Sequence, residues 1–173
     1  MNIWLRRALW TLLIAIIVHL ATVYAVPRVI MGLAINRYAA LVKLNTPLRP
    51  PLPDARARRV VQPSPDLLYV ACAYDLGEGP LLVTGEIPDT YWSVSFFAAN
   101  SDNFFVLNDR QAKEKRVRIV LAADGAPPVE GAQIVISPSW RGVVLFRTLV
   151  LDLADLPMLQ RFQQTMSCET LSR

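Results

Sequence analysis

Three side chains could serve a ligand together: Asp66, Tyr69 and Tyr91. A carboxylate and two phenols can accept and donate hydrogen bonds and, in a shared pocket, handle a proton. Strand parity also places Asp75 on the face of Tyr69, about three pleats away. A working acid–base pair needs two carboxylates with separated pKa values in one pocket. Asp66 follows Pro65 and suits a simpler task, bonding local backbone amides. No catalytic residue is assigned, and the trio stands as candidate ligand-binding groups. Asn100-Ser101-Asp102-Asn103 is a run of oxygen donors, but it lacks the length and spacing of a calcium loop and reads as a polar hairpin turn. Cys72 and Cys168 are the only thiols. In an oxidising compartment they could pair. A bridge needs Cα atoms within ~7 Å. Cys168 falls past the last expected helical turn, so a buried inert thiol at Cys72 is the first reading and a Cys72–Cys168 bridge the alternative.

Composition removes several classes of chemistry. One His and two Cys cannot build a Cys/His zinc cage, and the lone His leaves little room for a Ser-His-Asp or Cys-His site. The seven glycines are scattered, and none opens a strand-to-helix turn in a phosphate-binding pattern. Neither metal nor cofactor is expected. Residues 1–53 carry six basic side chains and no acid, whereas residues 54–173 carry twelve basic groups and all fourteen acids. The basic balance thus belongs to the N-terminal third, and the remainder lacks the cationic excess of a nucleic-acid-binding domain.

That N-terminal third reads as a membrane segment. Ala8 to Val26 is nineteen residues without a charge, about 28 Å as a helix and enough to cross a bilayer core. Trp4 and Trp10 at one end and Tyr24 at the other suit the headgroup region. Arg6 and Arg7 precede the span. With so short a leader they favour a cytoplasmic N-terminus and an exported C-terminal bulk. A cleaved signal peptide ending near Val23-Tyr24-Ala25 is the alternative, although the apolar run exceeds the usual ~7–15 residues. His19 lies inside the span with no charged companion, so it reads as a neutral side chain near the outer end.

The expected organisation is a tail and transmembrane helix over 1–26, a juxtamembrane helical segment over 27–44, a Pro-rich linker over 45–65 and a β domain over 66–173. The juxtamembrane part is either interfacial or a continuation of the span. The linker holds six of the 13 prolines and should run extended as a semi-rigid spacer, with Arg56, Arg58 and Arg59 as a small basic cluster. From Asp66 the period changes. Leu68, Val70, Cys72 and Tyr74 alternate with Leu67, Tyr69, Ala71 and Ala73, both sets apolar, as in a strand covered on both sides. Further strands are expected at 81–84, 91–98, 103–107, 116–121, 133–137 and 143–150. Ser93 and Ser95 mark a wetter face of the third. Leu156, Leu159, Phe162 and Met166 then recur at helical spacing behind Asp155 and Pro157. The fold class is mainly β, a small antiparallel sandwich or barrel of about seven strands, with a C-terminal helix and one N-terminal transmembrane helix.

The succession Ser64-Pro65-Asp66-Leu67-Leu68-Tyr69, Asp75-Leu76, Gly79-Pro80, Tyr91-Trp92-Ser93-Val94 and Asn103-Phe104 resembles the bacterial family called domain of unknown function 1254 (DUF 1254). So does the later run Arg147-Thr148-Leu149-Val150, Asp152, Asp155-Leu156-Pro157 and Gln160. The resemblance covers about residues 60–165. It implies a largely β domain, often exported or membrane-anchored, and often joined to a second uncharacterised domain, numbered 1214, which this sequence lacks. Ser64, Leu67 and Ala98 replace polar residues usual in the family, so part of any polar site in longer relatives is missing. The expected function is that of a single-pass protein of the bacterial inner membrane. Its periplasmic β domain docks on an envelope protein partner, such as a separately encoded second family domain. The alternative is a small-molecule-binding protein or enzyme using Asp66, Tyr69 and Tyr91. The lipid bilayer is the other expected partner, and no nucleic acid is expected.

Overall fold

The structure, a computed structural model, describes residues 2–54, 63–112, 114–125 and 129–171. It opens with α1 (Ile3–Ala39), about 55 Å long at ~1.5 Å per residue. Asn2 caps it by accepting the Trp4 N–H at 3.2 Å. The helix continues through Pro27, so the apolar run and residues 27–39 of the juxtamembrane segment are one element. Proline weakens that turn by withholding a donor. There the Arg28 guanidinium donates to the Tyr24 carbonyl at 2.6 Å and stacks 3.6 Å over the Tyr24 ring. α1 is long and apolar enough to cross a membrane, and its apolar window is fully exposed.

Among the described residues eight strands follow: β1 (Leu67–Asp75), β2 (Leu81–Glu86), β3 (Trp92–Ala98), β4 (Asn103–Asn108), β5 (Arg116–Ala122), β6 (Gln133–Ile136), β7 (Arg141–Leu149) and β8 (Ser167–Thr170). α2 (Leu156–Thr165) lies between the last two. They form two four-stranded sheets, ordered β1-β7-β3-β4 and β6-β5-β2-β8. The fold is therefore mainly β, with the C-terminal helix and the long N-terminal apolar helix. Two details differ from the sequence reading. β6 runs parallel to β5, which makes the second sheet mixed. β8 is an additional strand, antiparallel to β2. Its sequence, Ser-Cys-Glu-Thr, has no apolar alternation to announce it.

The core lies between the sheets. Trp92, Tyr74, Phe96, Leu76, Leu81 and Ile119 are among its largest fully buried side chains. Phe96 meets Phe104 and Phe105 edge-on, with centroids 6.2 and 5.4 Å apart. Gly142 is required where β7 passes Tyr74, because a Cβ there would collide with the Tyr74 hydroxyl and the Phe97 carbonyl. The outward face of β1 is covered too. Ile35 and Tyr38, at the end of α1, pack on Ala73 with Val42, Leu44 and Val143 around them.

The segment read as a spacer runs differently over Asn45–Pro50. Leu48 pairs with Ala71 on the free edge of β1. The Asn45 side chain accepts the Asp75 N–H at 2.8 Å and donates to the Asp75 carbonyl and the Thr170 hydroxyl, each at 2.9 Å. Arg49 donates to the Gln163 and Met166 carbonyls at the C-terminus of α2. Gln163 in turn donates to the Pro50 and Tyr69 carbonyls. This stretch is a strap bound along the sandwich edge. Arg56, Arg58 and Arg59 lie outside the described residues.

Candidate functional site

The outer face of the β1-β7-β3-β4 sheet carries a polar row. Cross-strand register sets Tyr69 opposite Arg147, Arg147 opposite Ser93, and Ser93 opposite Asn108. In adjacent register rows lie Leu67 and Leu149 on one side, and Ala71, Leu145, Ser95 and Val106 on the other. Ser93 and Ser95 do not form a wetter face: they are 1% and 0% exposed. Alternation alone would leave both positions in water. The Arg147 Nη2 donates to the Ser95 hydroxyl at 3.0 Å. The Arg147 Nε and the Ser93 Oγ are both enclosed without a hydrogen-bond partner. Among the described residues the ion pairs are Arg116–Glu86 at 3.0 Å and Arg141–Asp75 at 2.7 Å, neither of them at Arg147.

The sequence candidates occupy different settings. Tyr69 is half-buried, and its hydroxyl accepts the Ser64 N–H at 3.1 Å. Tyr91 is 43% exposed, and its carbonyl accepts the Leu149 N–H at 2.9 Å. Asp66 is exposed at the start of β1, where its carbonyl accepts the Val150 N–H at 2.8 Å. Asp75 caps a turn: it accepts the Gly77 N–H at 2.9 Å and the Arg141 Nε–H. The Gly77 amide holds its carboxyl below the usual range, against partial desolvation, and Arg141 adds to that effect. Burial pushes the Tyr74 phenol up, partly offset by bonds from Ser137 and Ser139. Sequence reasoning passed over Arg147. Its signal was a lone cation inside Val-Val-Leu-Phe-Arg-Thr-Leu-Val, where a strand otherwise buries apolar groups.

Two depressions flank this face. A groove of about 480 Å³ separates α1 from the domain and is lined by Arg28, Asn36, Asn100, Ser139 and Arg141 among others. The Asn100–Asn103 turn closes one side: Ser101 donates to the Pro27 carbonyl at 2.9 Å, and Asn100 bonds Asp102. A smaller hollow of about 170 Å³ lies beyond the other end of β7, between Leu149, Leu151, Asp155, Met158 and Phe162.

Cys72 of β1 and Cys168 of β8 are joined by a disulfide, with Cα atoms 6.8 Å apart. β8 brings Cys168 back across β2 into the core, where a chain simply trailing from α2 would have left it outside. The bridge links the two sheets at the edge that the strap covers.

This arrangement of two sheets, strap and C-terminal helix lies within residues 44–170, which match the family "Protein of unknown function (DUF1254)". The chain belongs to the DUF1254 family. The match takes in the strap as well as the β domain. Solved structures are similar, among them the following two. The VPA0106 protein from Vibrio parahaemolyticus aligns at TM-score 0.64 and 17% identity, over 87% of this chain and 37% of that one. A putative uncharacterized protein from Burkholderia cenocepacia aligns at TM-score 0.51 and 14% identity, over 79% of this chain and 38% of that one. These likenesses concern the DUF1254 fold. The chain spans less than two fifths of the length of either structure. No curated protein matches.

Proposed function

We propose that this DUF1254 protein is anchored in the bacterial inner membrane by α1, N-terminus in the cytoplasm, and that its periplasmic β domain docks on an envelope protein. The observation that carries the reading is an apolar surface at the end of the domain remote from the anchor. Leu151, Leu153 and Met158 are 79%, 69% and 51% exposed. β7 runs from Arg141, in the groove against α1, to Leu149, so this surface begins about 30 Å from the anchor side. Large exposed apolar side chains grouped on a small domain mark contact surfaces. Asp89, Asp152 and Asp155 stand exposed around them. The fitting partner presents an apolar projection with basic residues at its rim. A separately encoded second family domain has that opportunity, since the similar solved chains continue well beyond the part shared with this one. Arg6 and Arg7 ahead of the span support the orientation, and a disulfide suits an oxidising compartment.

Affinity capture from solubilised membranes tests the docking. The native chain should retain a defined partner, and Leu151→Asp with Leu153→Asp should lose it while keeping the native melting temperature. Retention of the same partner by that variant would overturn the reading.

A further inference from the structure

We propose that Arg147, Ser93 and Ser95 form a seat for an oxyanion, the carboxylate or phosphate of a small molecule with an apolar body. The inference goes beyond partner docking and stands whether or not that docking occurs. It starts from an imbalance of polar groups. A guanidinium offers five N–H donors and is always charged. When partly buried it ordinarily faces a carboxylate, because an uncompensated charge beside apolar residues is costly. Arg147 is partly buried and donates to one neutral hydroxyl, Ser95 Oγ at 3.0 Å. No carboxylate among the described residues lies within ion-pair distance of it. Its Nε and the Ser93 hydroxyl are enclosed and unbonded, and Ser93 is 1% exposed. Buried polar groups are so regularly bonded that two orphans at directly paired positions need an explanation. One negatively charged group beside the guanidinium answers both, since an oxyanion accepts from the fork and from a hydroxyl together.

The surroundings restrict the ligand further. Tyr69 and Asn108 extend the same polar row to either side, and both are half-buried. One neighbouring row is apolar, Leu67 with Leu149, and the other is apolar except at Ser95, with Ala71, Leu145 and Val106. A polar patch between largely apolar rows fits a molecule with a single charged head and a hydrocarbon or aromatic remainder. Tyr91, 43% exposed, stands at the rim.

Calorimetric titration of the full-length chain in neutral detergent tests the seat. The probes are sodium phosphate and sodium hexanoate, at constant ionic strength against sodium chloride. At least one should bind saturably. Preference for hexanoate assigns a carboxylate, preference for phosphate a phosphate. Arg147→Gln and Ser93→Ala should each weaken binding roughly 10- to 100-fold, the range of a lost charge-assisted hydrogen bond. Ser93→Ala removes an unbonded buried oxygen, so it should leave the ligand-free melting temperature unchanged or higher. Weaker binding at undiminished stability is a result that a purely structural role would not produce. Should Arg147→Gln fail to fold, Ser93→Ala alone decides. Absence of saturable binding by both probes, or native affinity in Ser93→Ala, would overturn the proposal.

Discussion

Asp75 shows how much a single side chain owes to its neighbours. Its carboxylate closes the turn onto Gly77 and holds Arg141, and the resulting pKa lies below the ordinary 3.8. A depressed folded value means that ionised Asp75 contributes stability above the unfolded pKa and loses it as pH falls through the folded one. Melting temperature should therefore drop as pH is lowered from about 3.8 downward. Asp75→Asn should start lower at neutral pH and fall less over that window; equal slopes would show that the carboxylate is not coupled to folding. Local amide bonding by an Asp before Leu-Gly is legible in a sequence, although the sequence reading placed Asp75 only by its parity with Tyr69. Arg141 as partner was not legible, because sixty-six residues separate the two and only the β1–β7 register joins them. The same register makes the Arg147 row. Parity within β3 correctly separated Ser93 and Ser95 from Trp92, Val94 and Phe96, but burial of that second face depended on what a different strand placed beside it.

Among the elements, the strap departs most from its composition. Prolines remove donors from Asn45–Pro53, and that composition is what led to the expectation of an extended spacer. Extension, however, also suits the free edge of a sheet, and β1 offered one. Asn45 is the fastener: three side-chain hydrogen bonds tie it to β1 and β8, and its φ of 60° is one that Asn tolerates better than other residues with side chains. Asn45→Ala should cost about 2–3 kcal/mol, combining lost bonds with the backbone penalty. Urea unfolding would show a lower midpoint at an unchanged slope, and a midpoint within error of native would mean that the strap is dispensable. α2 was legible from its Leu156, Leu159, Phe162 and Met166 spacing. Its anchoring through Arg49 and through the Gln163–Pro50 bond was not, since Arg49 and Pro50 belong to the strap, more than a hundred residues earlier.

For the molecule as a whole the disulfide is the test of both fold and location. It spans a separation of 96 residues and clips the two sheets together. Opening it by Cys72→Ala should lower stability by about 2–5 kcal/mol, the usual cost of losing a native bridge in a small exported domain. Thiol alkylation of intact cells should leave both cysteines unmodified until a reductant is added; ready alkylation would place the domain in a reducing compartment. The sequence by itself determined the long apolar helix, the mainly β class and most strand positions, because each rests on a local period or on charge-free length. It also carried the DUF1254 resemblance, which depends on the order of short motifs. The tertiary structure alone decided the parallel β6, the strand β8, the seating of the strap, the Cys72–Cys168 contact and the orphaned Arg147. Each depends on which distant segments become neighbours, and pairing between strands far apart in the chain leaves no period in either of them.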